Sequence, residues 1–292
     1  QSIEETREEP DLVSKLHGFV SAQIRDSGIK YLILIGTYDE LPTKYVFSPS
    51  DELGLADFNR KPTDWYYAVP NWSDSDIGLL GGNMPMIAVG RIPVKSEREL
   101  DGIVSKIISI ESRASAIELV MFGDQRMLPE TLSYEPIVQR GLEIPQTSGG
   151  LRQLLGRTTG YVTSYTHGTP QALWTRDSNG DWIPTLTTED AGGLDEAYGI
   201  HFLVACFAGA IDMGNESLAR ALLLSSGGPA LVIASARSDQ CDSPIPALFW
   251  ERFSRSGDVG GSLLQSIRDY LLDPSFFTPQ NLSLIHISEP TR

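Results

Sequence analysis

The chain has 292 residues, 41% of them hydrophobic and 21% charged, with a formal net charge of -15 at pH 7. That length suits one large α/β domain or two closely joined subdomains. The negative charge, with no Lys/Arg cluster against it, repels phosphate backbones and anionic lipid surfaces and argues against nucleic-acid binding.

No apolar run reaches membrane-spanning length, and the polar, acidic opening QSIEETREEP does not read as a secretion signal. An amphipathic helix is expected over 11–27, with Leu12, Leu16, Val20 and Ile24 at helical spacing. YLILIG at 31–36 is a buried-strand length. The aromatic, turn-rich stretch 37–84 is expected to form an irregular surface lobe. PMIAVGRIP at 85–93 reads as a second strand. The helix over 96–112 that follows starts at Ser96, with Glu99 completing a capping box and Leu100, Ile103, Val104, Ile107 and Ile108 as its apolar stripe.

Beyond Ser112 the alternation repeats. Strands are expected at 117–123, 160–166, 199–205 and 230–236. Helices are expected at 132–141, 148–156, 187–197, 215–226, 244–255 and 259–272. Such alternation predicts βαβ units, a mostly parallel sheet and helices on both faces. The chain divides into an N-terminal α/β subdomain over 1–112 and a second one over 113–282. The ending SLIHISEPTR fits neither pattern, resembles translated adapter sequence, and sets residues 283–292 apart as a non-native tail.

Two cysteines, Cys206 and Cys241, are too few for a disulfide framework. His167 and Gly168 stand where the strand YVTSYT leaves the sheet, and Cys206 stands where HFLVA does. Ligands of open α/β sheets bind outside the carboxyl ends of parallel strands, so both residues are expected to face one crevice. A thiol beside an imidazole is a nucleophile–base pair suited to acyl transfer. Small neighbours (Ala205, Ala208 and Gly209) leave room for a substrate backbone, and the N–H groups of Gly168 and Cys206 are candidate oxyanion donors. Taken singly, Cys206 reads as an inert core thiol and His167 as a surface or core histidine; their matched placement is what points to chemistry. His17 and His201 lack zinc-type partners, and no glycine loop follows a strand as a nucleotide site requires.

Several segments together resemble the gingipain-type cysteine peptidases, bacterial relatives of caspases. They are YLILIGTYDELP, PTDWYYAV, PMIAVGRIPVKSERELDGIVSKIISIE, YTHGTPQALW, FLVACFAGAID and ALVIASARSD, spread in the family's order over most of the chain. The resemblance implies a caspase-like three-layer α/β/α fold with a mostly parallel sheet and two α/β subdomains. It also implies a cysteine endopeptidase with Cys206 as nucleophile and His167 as its partner. A carboxylate after the first strand of the second subdomain would orient the histidine; Asp124 is the first choice, ahead of Glu130. Trp174 is expected to wall the cleft, and Asp239 or Asp242 to meet a basic substrate side chain. Cys241 is expected to be a bystander, and Asp64, with Tyr66 and Tyr67, to stabilise the first subdomain.

By the same resemblance no cofactor is required. Calcium is a candidate ion for DSNGD at 177–181, where a flexible turn is the plainer reading. The expected partner is a peptide or protein, and the expected location is the cell surface or exterior of a bacterium. Met86 departs from the family's usual Asp. The rival readings are a CHAT-type caspase-like peptidase and an inactive peptidase-like scaffold for protein binding or secretion.

Overall fold

In a computed structural model the described residues are 11–47, 60–76, 81–112, 118–124, 127, 138–143, 147, 149–155, 160–213, 216–237, 243–274 and 286–288. Helix α1 (Leu12–Ser27) opens on Asp11, whose carboxylate accepts the Ser14 N–H, and closes on Gly28 in the left-handed region, φ 61°. Strand β1 (Tyr31–Ile35) follows. A short hairpin of β2 (Lys44–Phe47) and β3 (Arg60–Thr63) leads into a 3-10 turn, Asp64–Ala68. Strand β4 (Ala88–Ile92) then pairs parallel to β1.

The surface lobe expected over 37–84 is corrected at residues 64–68, while 48–59 and 77–80 lie outside the described residues. Trp65, Tyr66, Tyr67 and Ala68 are buried and join the core formed with α1 and the C-terminal helices. Their aromatic rings carry too much apolar surface to be left in water. Arg91, 1% exposed, explains why they can be ordered there. It forms a two-bonded ion pair with Asp64 and also donates to the carbonyls of Gly36, Thr37 and Leu41.

Helix α2 (Glu97–Glu111) is capped by the Ser96 hydroxyl, which accepts the Glu99 N–H. Glu99 reaches back to the Lys95 N–H rather than to Ser96. Its expected apolar stripe is partly wrong: Val104 and Ile108 are exposed, while Lys106 is buried. Lys106 points inward because its ammonium donates to the Leu223 and Ser225 carbonyls at the end of a helix described below.

The main sheet uses β5 (Glu118–Gly123), β6 (Val138–Glu143), β7 (Tyr161–Tyr165), β11 (Tyr198–Val204), β12 (Pro229–Ala234) and β13 (His286–Ser288), in the order β13-β12-β11-β7-β5-β6. All pairings are parallel except that of β13 with β12. Strand β6 corrects the helix expected over 132–141 at residues 138–141, while 132–137 lie outside the described residues. Gly141 weakens a helix there, and β-branched Val138 suits a strand. The tail set apart in the sequence supplies β13 at the sheet edge. An open edge accepts any extended segment, so this pairing says nothing of the tail's origin.

Strands β5, β7, β11 and β12 are buried on both faces, as parallel strands covered by helices must be. One face packs on α1, α6 (Ile245–Ser256) and α7 (Val259–Leu272). The other packs on α2, α3 (Gly150–Leu155), α4 (Thr188–Gly192) and α5 (Leu218–Leu224), the helix that Lys106 caps. This is a three-layer α/β/α arrangement. Helix α4 is shorter than expected, since Gly192 and Gly193 end it one turn after its Thr187–Asp190 capping box. His201, wholly buried in β11, lies between the Ser164 hydroxyl and the Tyr198 hydroxyl, and burial pulls its pKa down to about 3. It is a neutral core histidine.

Candidate active site

The site is built where β5, β7 and β11 end side by side. Tyr165 pairs with Gly123 on one side and with Val204 on the other. The next residues keep that register: the Asp124 N–H donates to the Tyr165 carbonyl at 3.0 Å, and the Thr166 N–H to the Val204 carbonyl at 3.1 Å. Asp124, His167 and Cys206 therefore leave three adjacent parallel strands at the same end of the sheet.

A three-stranded antiparallel sheet, β8 (His167–Thr169), β9 (Ala172–Arg176) and β10 (Trp182–Thr187), carries the histidine. Its start is pressed against the cysteine strand. A Cβ added to Gly168 would lie 2.4 Å from the Cys206 carbonyl oxygen and 3.0 Å from the Ala205 Cβ. Only glycine allows that approach, and it brings the His167 backbone to the residue that bears the thiol.

Cys206 is half-buried. Phe207 after it takes the left-handed conformation, φ 59°, which costs a non-glycine residue about 1–3 kcal/mol. The turn is pinned from β12: the Phe207 N–H donates to the Arg237 carbonyl at 2.9 Å, and the Gly209 N–H to that of Ser235 at 2.8 Å. Gly209 has no room for a side chain to spare, since a Cβ would meet Ala234 and Ser235 at 3.1 Å.

His167 is exposed, and its ring meets the indole of Trp182 edge-to-face at 4.7 Å. Among the described residues the imidazole makes no hydrogen bond. Trp174 is the cross-strand partner of His167 and donates from its indole to the Thr169 hydroxyl at 3.3 Å. Directly paired residues share a face, so Trp174 stands beside the histidine on the same face of this small sheet. Asp124 is half-buried at the end of β5.

Trp182 was not singled out in the sequence, although a signal for it was there. DSNGD lies between two alternating runs, and Asn-Gly so placed marks a hairpin. Gly180 has φ 87°, and Asp177 accepts the N–H groups of Asn179 and Asp181. The Asp177 carboxylate is thus engaged in closing the β9–β10 turn. Among the described residues no group of three or more His, Cys, Asp or Glu side chains is placed to hold a metal ion. Asp239, Cys241, Asp242 and Glu130 lie outside the described residues.

Among the described residues no helix is long and apolar enough to cross a membrane. A solved structure of a protease matches with a TM-score of 0.69 at 14% identity, covering 98% of this chain and 70% of that one. No curated protein sequence matches. The model of peptidase family C25 matches residues 13–286. A caspase-like α/β/α sheet, a histidine and a cysteine at adjacent strand ends, and a family match over nearly the whole length agree: the chain belongs to peptidase family C25, the gingipain family of cysteine peptidases.

Proposed function

We propose that the chain is an endopeptidase whose nucleophile is the Cys206 thiolate and whose acid–base group is His167. The observation that carries this reading is the seating of Gly168 against the Cys206 carbonyl, which joins the two strand ends without leaving space for a side chain. The thiolate attacks the peptide carbonyl carbon, and the tetrahedral oxyanion sits near the N–H groups of Gly168 and Cys206. The C–N bond then breaks, and the imidazolium gives its proton to the departing amine. Water, giving a proton to His167, adds to the thioester and releases the carboxylic acid and the Cys206 thiolate, which restores the thiolate–imidazolium pair.

Asp124 is assigned the task of favouring the imidazolium once substrate closes the site. Trp174 and Trp182 flank the bound chain. Asp239 and Asp242, which follow β12, favour a Lys or Arg side chain at P1. No organic cofactor takes part, and any calcium at the Asp177 turn would be structural. The substrate is a peptide or protein, encountered outside a bacterial cell or at its surface.

One observation favours a second reading, an inactive peptidase-like binding module: the His167 ring rests on Trp182 with no hydrogen bond among the described residues. Peptide acyloxymethyl ketones with Arg, Lys or Asp at P1, followed by mass mapping of the adduct, separate the two. Labelling of Cys206 that is lost in His167→Ala supports the peptidase, and the preferred probe reports P1. Folded protein that no probe labels, with Cys206→Ala behaving as the parent, would leave the binding module.

A further inference from the structure

The turn from Cys206 to Asp212 is held at both ends by one residue, Arg237, and that residue also grips the N-terminal hairpin. Its carbonyl accepts the Phe207 N–H at 2.9 Å. Its guanidinium forms two bonds to the Asp212 carboxylate, Nη1 to Oδ1 at 3.0 Å and Nη2 to Oδ2 at 2.6 Å. Its Nε donates to the Arg60 carbonyl in β3 at 2.8 Å. From the β2 side, the Tyr45 hydroxyl donates to Asp212 Oδ2 at 3.1 Å. The Arg237 side chain is 3% exposed and that of Asp212 11%. Burial raises the Asp212 pKa, but the Arg237 hydrogen bonds and charge outweigh it and hold the carboxyl below its ordinary value.

Neither bond set is explained by core filling. A buried arginine–aspartate pair adds little net stability over an apolar pair of equal volume, so stability alone does not account for it. Here the geometry concerns a turn that would relax without support, since Phe207 is held in the left-handed region. We propose that Arg237 is a positioning residue for Cys206, locking the 206–212 turn to the β2–β3 hairpin so that the thiol stays where His167 can serve it. This rests on the reading of Cys206 as nucleophile. Lysine cannot replace the two-bonded fork and the Nε bond together. The hairpin thereby becomes part of the catalytic support, although it contributes no reacting group.

The test uses Arg237→Lys and the milder Tyr45→Phe in the full chain. Three readings are taken: kcat and KM on the peptide chosen by the probes, amide exchange over residues 207–213, and the rate of Cys206 alkylation by iodoacetamide mapped separately from Cys241. Arg237→Lys is expected to lower kcat about 10–100-fold with KM within about threefold. Exchange should rise over 207–213 alone, the alkylation rate should change, and Tyr45→Phe should follow with smaller effects. A variant with unchanged kcat, local exchange and alkylation would overturn the proposal. So would exchange rising evenly through the molecule with activity tracking the folded fraction. If Cys206→Ala kept the parent's activity, the nucleophile reading would fall. The exchange and alkylation readings would still decide whether Arg237 holds the turn.

Discussion

Among the described residues two arginine–aspartate pairs are buried, and they are used differently. Arg91 and Asp64 lie 27 residues apart, both within the N-terminal part, and the remaining donors of Arg91 meet carbonyls of the same part. Tyr38 lies against the guanidinium, 4.8 Å from it to the ring centroid. Arg237 and Asp212 bridge the end of β12 to the turn after Cys206, with Arg60 and Tyr45 added from the distant β2–β3 hairpin. The chemistry of the two pairs is the same. One closes a loop over its own sheet, whereas the other ties the turn after Cys206 to a remote element. Breaking the first should therefore cost stability, and breaking the second should cost geometry.

The largest effect is expected at Arg91→Met, which strands the Asp64 carboxylate and three carbonyls in the core. Removing one partner of such a pair costs about 3–5 kcal/mol. Denaturant melts should show that loss, while activity per folded molecule stays at the parent level. A fall in kcat beyond the folded fraction would erase the distinction between the pairs.

Asp212→Asn should show the opposite balance. The amide keeps one acceptor for Arg237 but loses the charge, at a cost of about 2 kcal/mol, within the range for charged hydrogen bonds. Its kcat should drop more than its folded fraction does. The measurement is stopped-flow or steady-state kinetics beside a melt of the same sample. A variant as active as the parent when corrected for folding would place Asp212 with Asp64 as a purely structural acid.

Acid separates the pairs from the interior of the sheet. The Asp212 pKa is lowered on folding, so its contribution is complete above the unfolded carboxyl value and is lost as pH falls through the folded one. His201 acts at higher pH. Its folded pKa is about 3 against an ordinary 6.5, so the unfolded chain binds the extra proton throughout that window. Stability should fall as pH drops below 6.5, by about 2 kcal/mol at pH 5. His201→Gln should remove that slope while leaving the steeper loss near the carboxyl range. An unchanged slope would show that the acid sensitivity above pH 4 lies elsewhere.

Much of this was legible locally. Helices α1 and α7 fall where they are expected, α2 keeps its Ser96 cap though not its full apolar stripe, and β7 and β11, which lead to His167 and Cys206, are runs rich in β-branched and aromatic residues between turn residues. What escaped was decided by partners far along the chain. Lys106 is polar by type yet buried, because its acceptors are carbonyls more than 110 residues away. The buried Asp64–Ala68 turn looked like a surface segment because Arg91 is needed to neutralise it. Arg237 sits in SARSD, which drew attention only to the neighbouring acids. Its role appears only when Asp212, Phe207 and Arg60 are brought to it.

A third arginine makes the comparison sharper, because it is exposed. Arg176 lies over the Trp182 ring at 4.3 Å and donates to the Gly180 carbonyl at 2.7 Å, so it fixes from outside the indole that touches His167. Being solvated, this contact is worth about 0.5–1 kcal/mol. Arg176→Gln should leave the melt within that amount of the parent. If the indole sets where the imidazole stands, the acid limb of the kcat/KM pH profile should shift while kcat changes by less than about threefold. A profile identical to the parent's would mean that Trp182 holds His167 unaided, or that the imidazole leaves the indole when substrate binds. Trp182→Phe, which keeps an aromatic edge but removes most of the surface beneath Arg176, distinguishes these. A shift there without one in Arg176→Gln assigns the positioning to the indole alone, and no shift in either shows that the ring contact is broken before the chemical step.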